Sequence, residues 1–399
     1  KRILLLLGPP ASGKASIVSI LKRGMERYSL SRYGATYVIS GCPMHEEPLH
    51  LIPHEQRAEM AIQYGLHIEG ELCPSCKHSL KHDFGGDVSR VVVRRAILSQ
   101  VNRVGFGGLV ADGADNQDFP CLAGGIEIGL NEDDRVGNSN RAPRLNADLE
   151  ASNRGIMEIR RILRGGDNFL NFLVGLAEER CIKLAGSECV SMDGVVVGYC
   201  DVEEYKAFIS SRQNHAIVDR LVVVRVPYAL QLGAEVNIYR KCLPQSLHKG
   251  VHVAPLSLQV VAGLAVMTRL RPAPRGGGLP RTSILDKLKI FDGLVFPPYT
   301  QADVKRLHNL YNDGMTGVSP QYVVNALADV LAMDKECFQP FDLLASLANR
   351  LNEWADLRDL STKWASNLLV KTVEYYSEMA LRQIRLATVE NFHARAGEL

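Results

Sequence analysis

The sequence predicts an α/β fold, in which a parallel-sheet core is followed by an α-helical lid and a helical C-terminal extension. Short apolar runs rich in β-branched residues alternate with helix-like stretches through about residue 228, an alternation typical of parallel sheets. Beyond Pro227 and Tyr228 the strand signals stop and helical periodicity takes over. We therefore expect three domains, at residues 1–228, 229–335 and 336–399.

The predicted strands differ in the environment that their patterns indicate. Leu221-Val222-Val223-Val224 is apolar on both faces, which predicts a strand at the centre of the sheet. Gly105–Gly108 is rich in glycine and is predicted to form a hairpin tip, with a ring-pore contact as the alternative. The predicted strands are Ile3–Leu7, Thr36–Ser40, Arg154–Ile159, Gly194–Val197 and Leu221–Val226.

Helices dominate the second half of the sequence. Leu256–Leu270 carries an apolar stripe at helical spacing. In Ser319–Met333, Ser319 is a suitable N-cap and Pro320 occupies the first helical position. Thr362–Leu399 is predicted to form one or two long helices.

Composition excludes several classes of protein. The 46 Lys and Arg residues balance the 44 Asp and Glu residues, for a net charge of +2, which argues against a polybasic nucleic-acid-binding protein. No apolar run approaches the ~18 residues that a membrane span requires. Nine cysteines, an odd number spread over 399 residues, favour reduced thiols over a disulfide framework. A cytoplasmic protein is expected.

The first predicted strand leads into a phosphate-binding loop. Ile3–Leu7 is followed by G-x-x-x-x-G-K and then by a helix-like stretch, the order in which backbone N–H groups and a helix N-terminus hold phosphates. The lysine of this motif reaches the β- and γ-phosphates. The residues predicted to bind the nucleotide are Gly8, Pro9, Pro10, Ala11, Ser12, Gly13, Lys14, Ala15 and Ser16.

The loop departs from its motif at the metal-binding position. A Ser or Thr hydroxyl that binds Mg²⁺ should follow the lysine, but Ala15 stands there. Ser16 comes one position later, so on a helix it projects about 100° away around the axis. We expect the phosphate cradle to be retained and the Mg²⁺ anchor to be weakened.

Several segments together resemble the PrkA-type serine protein kinase family. The thirteen-residue block Gly41–Pro53 (GCPMHEEPLHLIP) is the most specific, and the likeness extends to about residue 335. The resemblance implies an AAA+ ATPase core, an ATP-dependent serine/threonine protein kinase, and ATP and Mg²⁺ as cofactors. Family members are longer at both ends, so this chain is expected to be a core segment. The other matching segments are Asn153–Glu158, Asp219–Arg220 with Val226–Tyr228, and Gly314–Pro320.

The resemblance also implies site roles, several of which this sequence alters. Asn153–Ile159 resembles a Walker B strand, in which Glu158 is kept but Arg161 replaces an acidic residue. Asp201 occupies the sensor position, where the family has Asn, and Gln321 replaces a lid arginine. Arginine cannot orient the attacking water or bind Mg²⁺ as a carboxylate does.

Arg220 resembles the arginine finger of an AAA+ ring. Such a residue reaches the nucleotide of a neighbouring subunit, which would make the protein a homo-oligomeric ring. The alternative is an arginine at a helix C-terminus that favours the helix dipole and pairs with Asp219. Glu158, Asp201 and Arg220 are the candidate catalytic residues.

Three functions follow from these patterns. The first is an ATP-dependent serine protein kinase of the PrkA type. The second is a nucleotide-binding pseudoenzyme or assembly module, since Ala15, Arg161 and Gln321 all weaken hydrolysis. The third is an AAA+ remodelling ATPase.

Two short motifs form a candidate zinc site. Cys73-Pro-Ser-Cys76 is a C-x-x-C knuckle, and Cys42-Pro-Met-His45 lies about thirty residues upstream. Together they offer the Cys₃His ligands of a structural Zn²⁺ site. The alternative is that the cysteines pack in a core and His45 belongs to a hydrogen-bonded loop.

Overall fold

The apolar runs of the first half pair into a parallel sheet at the centre of one of two units. The computed structural model describes residues 3–111, 147–183, 189–243, 252–271, 282–310, 313–333, 337–356 and 362–396. The first unit comprises residues 1–8 and 13–225, and the second comprises 9–12 and 226–399.

The strands and helices follow the chain in this order. The strands are β1 (Ile3–Leu7), β2 (Thr36–Ile39), β3 (Val93–Ala96), β4 (Phe106–Val110), β5 (Ile156–Arg160), β6 (Cys181–Lys183), β7 (Cys189–Ser191), β8 (Val195–Cys200), β9 (Leu221–Arg225), β10 (His252–Val253) and β11 (Cys337–Phe338). The helices are α1 (Lys14–Leu30), α2 (His54–Tyr64), α3 (Pro74–His82), α4 (Ala147–Ser152), α5 (Asp167–Glu179), α6 (Val202–Ser210), α7 (His215–Val218), α8 (Leu232–Cys242), α9 (Ser257–Arg269), α10 (Ile284–Phe291), α11 (Gln301–Leu310), α12 (Pro320–Leu331), α13 (Pro340–Asp356) and α14 (Thr362–Ala396).

The main sheet has the order β4-β5-β8-β1-β9, and all its strand pairs are parallel. Two sequence predictions are wrong here. β9 lies at the edge of this sheet rather than at its centre, and Val222 and Val224 on it are exposed. Gly105–Gly108 is not a hairpin tip, because Phe106–Val110 forms the other edge strand. β-Branched residues occur on edges as well as in centres, so the apolar run could not decide between them.

The predicted strand at Thr36 forms, but outside the main sheet. β2 pairs antiparallel with β3 in a separate two-stranded sheet. The segment between these strands, residues 40–92, contains α2 and α3. It buries few apolar side chains: α2 buries none of its residues and α3 buries only Cys76.

The second unit is helical, as predicted. Its apolar core runs from Leu232 to Tyr375 and takes in residues of α8, α9, α10, α12, α13 and α14, so it crosses the boundary predicted between residues 335 and 336. α9 is buried on every side from Val260 to Arg269. The predicted cap of α12 is confirmed, because the Ser319 hydroxyl accepts a hydrogen bond from the Tyr322 amide.

A buried arginine joins the motifs of the second unit. Arg269 is fully buried, donates to the carbonyl oxygens of Val318 and Ala229, and forms an ion pair with the buried Glu235. The Gly314 amide donates to the Arg269 carbonyl at 3.0 Å. A buried charge is tolerated only when it is paired and hydrogen-bonded. Arg269 therefore holds two of the segments that carry the family resemblance in one packed unit.

Two further findings concern the cysteines and the membrane. Cys181 is disulfide-bonded, so the expectation of reduced thiols is wrong for this residue. Among the described residues, no helix combines the length and the hydropathy that crossing a bilayer demands.

Candidate nucleotide site

The parallel register places the phosphate loop at the carboxyl ends of the strands of the main sheet. Leu7, the last residue of β1, is paired with Cys200, the last residue of β8. The Gly8 amide then donates to the Cys200 carbonyl at 3.3 Å. Nucleotides bind beyond the carboxyl ends of parallel strands, and the loop begins at this position.

The start of α1 suits a bound phosphate. Its N-cap is Gly13, with a φ of 93° and no side chain to satisfy the first-turn amides. A Cβ atom built on Gly13 would meet nothing within 4 Å, so the surroundings are open. The buried Ser12 hydroxyl has no hydrogen-bond partner among the described residues. This part of the loop therefore fits an anion at a helix N-terminus.

Lys14 is held at the mouth of the loop. Its Nζ atom donates to the Gly8 carbonyl at 2.5 Å and to Asp201 Oδ1 at 3.0 Å. Asp201 directly follows β8 and starts α6, where its amide donates to Glu204 Oε2 at 3.2 Å. The structure thus brings Asp201 and Lys14 together, two of the residues singled out from the sequence.

A basic cleft lies beside the first turns of α1. It has a volume of about 560 Å³ and is open to solvent. Glu158 is the one acidic residue in its lining, against three basic ones. Ala15 contributes a methyl group at the position where the motif has a Mg²⁺-binding hydroxyl, and the oxygen-bearing side chains of the lining are those of Ser16, Ser19, Gln100 and Glu158. The lining residues are Ala15, Ser16, Ser19, Ile20, Lys22, Arg23, Gln100, Glu158 and Arg160.

Arg161 lies at the level of the phosphate loop. Arg160 is paired with Tyr199, which is paired with Leu6. The next residue, Arg161, therefore stands level with Leu7, where the loop begins. Arg161 is exposed and has a φ of 54°. The family resemblance implies an acidic residue at this position, and this chain has an arginine there.

Glu158 lies deeper along the same strand. It is level with Val197 and Leu4, three residues and about 10 Å away from the level of Arg161. There it forms an ion pair with Lys22 and accepts a hydrogen bond from the Tyr199 hydroxyl. This position favours a structural role for Glu158 over the catalytic role that the sequence suggested.

Lys22 and Tyr199 were missed by the sequence analysis. Lys14, Val18 and Lys22 lie on one face of α1, because residues four apart are neighbours on a helix. Val18 is fully buried, and this spacing could have indicated that Lys22 faces the sheet. No sequence pattern indicated the role of Tyr199, since its hydrogen bond to Glu158 depends on the strand register.

Arg220 lies at the amino ends of the parallel strands, opposite to the carboxyl ends where the phosphate loop begins. It precedes β9, whose first residue, Leu221, is paired with Ile3 at the start of β1. It pairs with Glu178 and donates to the Ala216 carbonyl at 2.6 Å. Arg220 is therefore one strand length, about 16 Å, from the loop of its own chain. Gln321, in the second unit, donates to Asn325 Oδ1 at 2.9 Å.

The candidate zinc ligands are brought together in part. Cys42, Cys73 and Cys76 are buried side by side, and the fourth residue of this group is Glu46. His45, predicted as the fourth ligand, does not belong to it. The left-handed backbone of His45, with a φ of 48°, ends the turn after Cys42, which the C-x-x-H spacing alone could not indicate.

Comparisons with known families match nearly the whole chain. The model of the PrkA AAA domain matches residues 1–276. The model of the PrkA serine protein kinase C-terminal domain matches residues 285–399.

Curated relatives are longer than this chain. It is 33% identical to the "ATP-dependent protease PrkA" of Bacillus subtilis (strain 168), with 100% of this chain and 63% of that protein aligned. It is 24% identical to the "Serine/threonine kinase YeaG" of Escherichia coli (strain K12), over 98% of this chain and 61% of that protein. The chain thus spans less than two thirds of these relatives. A solved structure of NtrX from Brucella abortus in complex with ADP aligns with a TM-score of 0.34 and 11% identity, over 93% of this chain and 64% of that one.

The structural role of Glu158 predicts an effect on stability. Glu158→Gln should lower the free energy of unfolding at pH 7 by about 1.5 to 3 kcal/mol, because Lys22 loses its charged partner. Burial raises the pKa of Glu158, but hydrogen bonds from Lys22 and Tyr199 outweigh it and lower that pKa below its ordinary value of 4.5. This stabilisation is present above pH 4.5 and is lost as the pH falls through the lowered pKa. Urea unfolding of both proteins at neutral and acidic pH measures it.

Glu203→Gln is the matched control, because the Glu203–Lys206 pair is exposed and should contribute less than about 1 kcal/mol. A Glu158→Gln protein with unchanged stability and reduced nucleotide affinity would contradict the structural role.

Proposed function

This chain belongs to the PrkA family, and from that premise we propose that it is an ATP-binding AAA-type protein with impaired phosphate chemistry. The observation that carries the proposal is a contrast, at the carboxyl ends of the strands, between the residues for phosphate binding and those for Mg²⁺ binding. Gly13 and Lys14 keep the phosphate cradle, whereas Ala15 and Arg161 occupy the positions of two Mg²⁺ ligands.

The cradle supports binding of the nucleotide phosphates. The first-turn amides of α1 and the Lys14 ammonium would bind phosphate oxygens, and Lys14 would exchange Asp201 for this partner. Charge-assisted hydrogen bonds of this kind are about twice as strong as neutral ones.

Arg161 supports a binding mode that does not depend on Mg²⁺. Its guanidinium is always charged and suits phosphate oxygens. At the level of the loop it would neutralise charge that a metal ion otherwise neutralises. It cannot accept a proton from water, so the same substitution impairs hydrolysis.

The reaction of the longer relatives is a separate question. One relative is named a protease and another a kinase, and these names share only a dependence on ATP or its phosphates. A PrkA-type serine protein kinase remains the second candidate for the whole protein, and a remodelling ATPase the third. The retained Lys14 supports both of these candidates.

Nucleotide binding tests the first part of the proposal. Lys14→Ala should lower the affinity for ATP at least about tenfold, because the phosphates lose a charged donor. Removing Mg²⁺ with a chelator should change the wild-type affinity by less than about threefold. Isothermal titration calorimetry measures both, with Lys206→Ala as an exposed-lysine control. Equal binding by Lys14→Ala and wild type, or a large loss with chelator, would contradict this binding mode.

Turnover tests the second part. The wild-type chain should bind ATP with little hydrolysis, and Ala15→Thr combined with Arg161→Glu should raise phosphate release. Each single change should do less, because the hydroxyl and the carboxylate act on one metal ion. Robust wild-type turnover that Lys14→Ala abolishes would contradict impairment. Phosphate transfer to a serine-containing protein, followed with labelled ATP, would favour the kinase.

The location of Arg220 supports assembly as a proposed consequence. Since Arg220 lies at the amino ends of the strands, away from the phosphate loop of its own chain, it could contact only the nucleotide bound to a second copy of this chain. Light scattering with ATP should detect a species larger than a monomer, and Arg220→Ala should weaken it. If Arg220→Ala leaves the oligomer unaltered, Arg220 serves only contacts within its own chain, namely the pair with Glu178 and the hydrogen bond to the Ala216 carbonyl.

A further inference from the structure

A cluster of thiols lies apart from the nucleotide site, in the segment between β2 and β3. The Sγ atoms of Cys42, Cys73 and Cys76 and a carboxylate oxygen of Glu46 lie within 4.8 Å of one another. All four residues are buried, and the three thiols are not in disulfides. Burying a carboxylate among thiols is costly unless a cation or hydrogen bonds compensate it.

The spacing of two sulfur atoms matches a shared metal ion. Cys42 Sγ and Cys73 Sγ are 3.8 Å apart. A disulfide would bring them to about 2.05 Å. In a tetrahedral zinc site with Zn–S bonds of about 2.3 Å, two sulfur ligands are about 3.8 Å apart. The observed distance therefore fits two thiolates on one zinc ion.

The backbone around Cys73 directs a hydrogen-bond donor at its sulfur atom. Cys73 is the N-cap of α3, and Pro74 occupies the first turn. The Cys76 amide donates to Cys73 Sγ at 3.4 Å. An amide at a helix N-terminus stabilises negative charge on a cap atom. The C-x-x-C spacing thus places two sulfur atoms on the same turn with a donor pointed at one of them.

The third sulfur belongs to Cys42, which approaches from the other motif. Cys42 is buried, and its Sγ atom lies 3.8 Å from Cys73 Sγ. Binding of a metal ion to these sulfur atoms would release their thiol protons to solvent.

Glu46 is oriented as a ligand by its own partners. The Cys73 amide donates to Glu46 Oε1 at 2.9 Å and to Oε2 at 3.0 Å. His50 Nδ1 lies 3.1 Å from Oε1, and its Nε2 lies 2.9 Å from the Glu69 carbonyl oxygen. Oε2, which lies 4.0 Å from Cys42 Sγ, has a further lone pair for a metal ion. Partners of this kind orient ligands in metal sites.

The segment that contains the cluster needs a source of stability other than its core. α2 buries none of its residues, and Cys76 is the only residue that α3 buries. Segments with small cores are commonly stabilised by metal ions or disulfides. Asn153, which is buried and precedes β5, donates to the Met44 carbonyl at 2.7 Å.

We propose that Cys42, Cys73, Cys76 and Glu46 bind one structural Zn²⁺ ion, with Glu46 Oε2 as the fourth ligand. The four residues complete a tetrahedral shell, so the site is closed and non-catalytic. The ion joins the loop after β2 to the start of α3.

Elemental analysis of the full chain, purified without chelators, tests the site. About one zinc per chain is expected, and Cys73→Ser and Cys76→Ser should each reduce it to less than about a fifth. Cys242→Ser, which removes an exposed cysteine in the second unit, should retain the zinc. Cobalt added to the chelator-treated chain should show the thiolate charge-transfer and tetrahedral ligand-field absorption bands of a sulfur-rich site.

The fourth ligand is tested by a pair of variants. Glu46→Gln should weaken zinc affinity about tenfold or more, measured by competition with a chromogenic chelator, whereas His45→Ala should leave it unchanged. The reverse result would overturn the assignment of Glu46. A wild-type chain that is metal-free, folded by circular dichroism and unable to bind cobalt would overturn the site altogether, as would zinc that survives in both cysteine variants.

Discussion

The parallel register of β1, β5 and β8 is the constraint on which the candidate nucleotide site depends. Side chains alternate between the two faces of a sheet, so a slip of one residue would exchange them. The observed register sets the end of β1 beside the end of β8, and this brings Lys14 to Asp201. It also sets Arg161, the residue that follows β5, level with the start of the loop, and Glu158 lies three residues deeper.

This register separates residues that join the sheet to α1 from residues at the phosphate loop, a distinction that the sequence analysis did not make. Glu158 and Lys22 form an ion pair between β5 and α1. Glu158 lies three residues deeper than the level of the loop and lines the cleft beside α1 together with Lys22. Ala15 and Arg161, the two residues proposed to weaken metal binding, do not belong to this pair. The proposed loss of metal chemistry therefore leaves the contact between Glu158 and Lys22 in place.

Local patterns in the sequence predicted local structure well. The phosphate loop, the cap at Ser319 and the long C-terminal helix depend on residues near one another in the chain, and the structure has each of them. Features that depend on distant pairing were not accessible. The edge position of β9 and the separate sheet of β2 depend on which strands meet, and strand order is not encoded in a run of β-branched residues.

The thiol cluster illustrates the same limit at the level of single ligands. The two cysteine motifs were visible, and Cys42, Cys73 and Cys76 do converge. The choice between His45 and Glu46 was not visible, because it depends on a left-handed turn at His45. One residue of backbone conformation decides which side chain faces the sulfur atoms.

The most direct measurement is a crystal structure of the chain with ATP and Mn²⁺, with anomalous data collected at the manganese edge. We expect the phosphates over the first turn of α1, in contact with Lys14 and Arg161, and no manganese ion held by protein side chains at the carboxyl ends of the strands. A manganese ion bound by the Ser16 hydroxyl or by a carboxylate of this chain would contradict a nucleotide site that has lost its metal anchor.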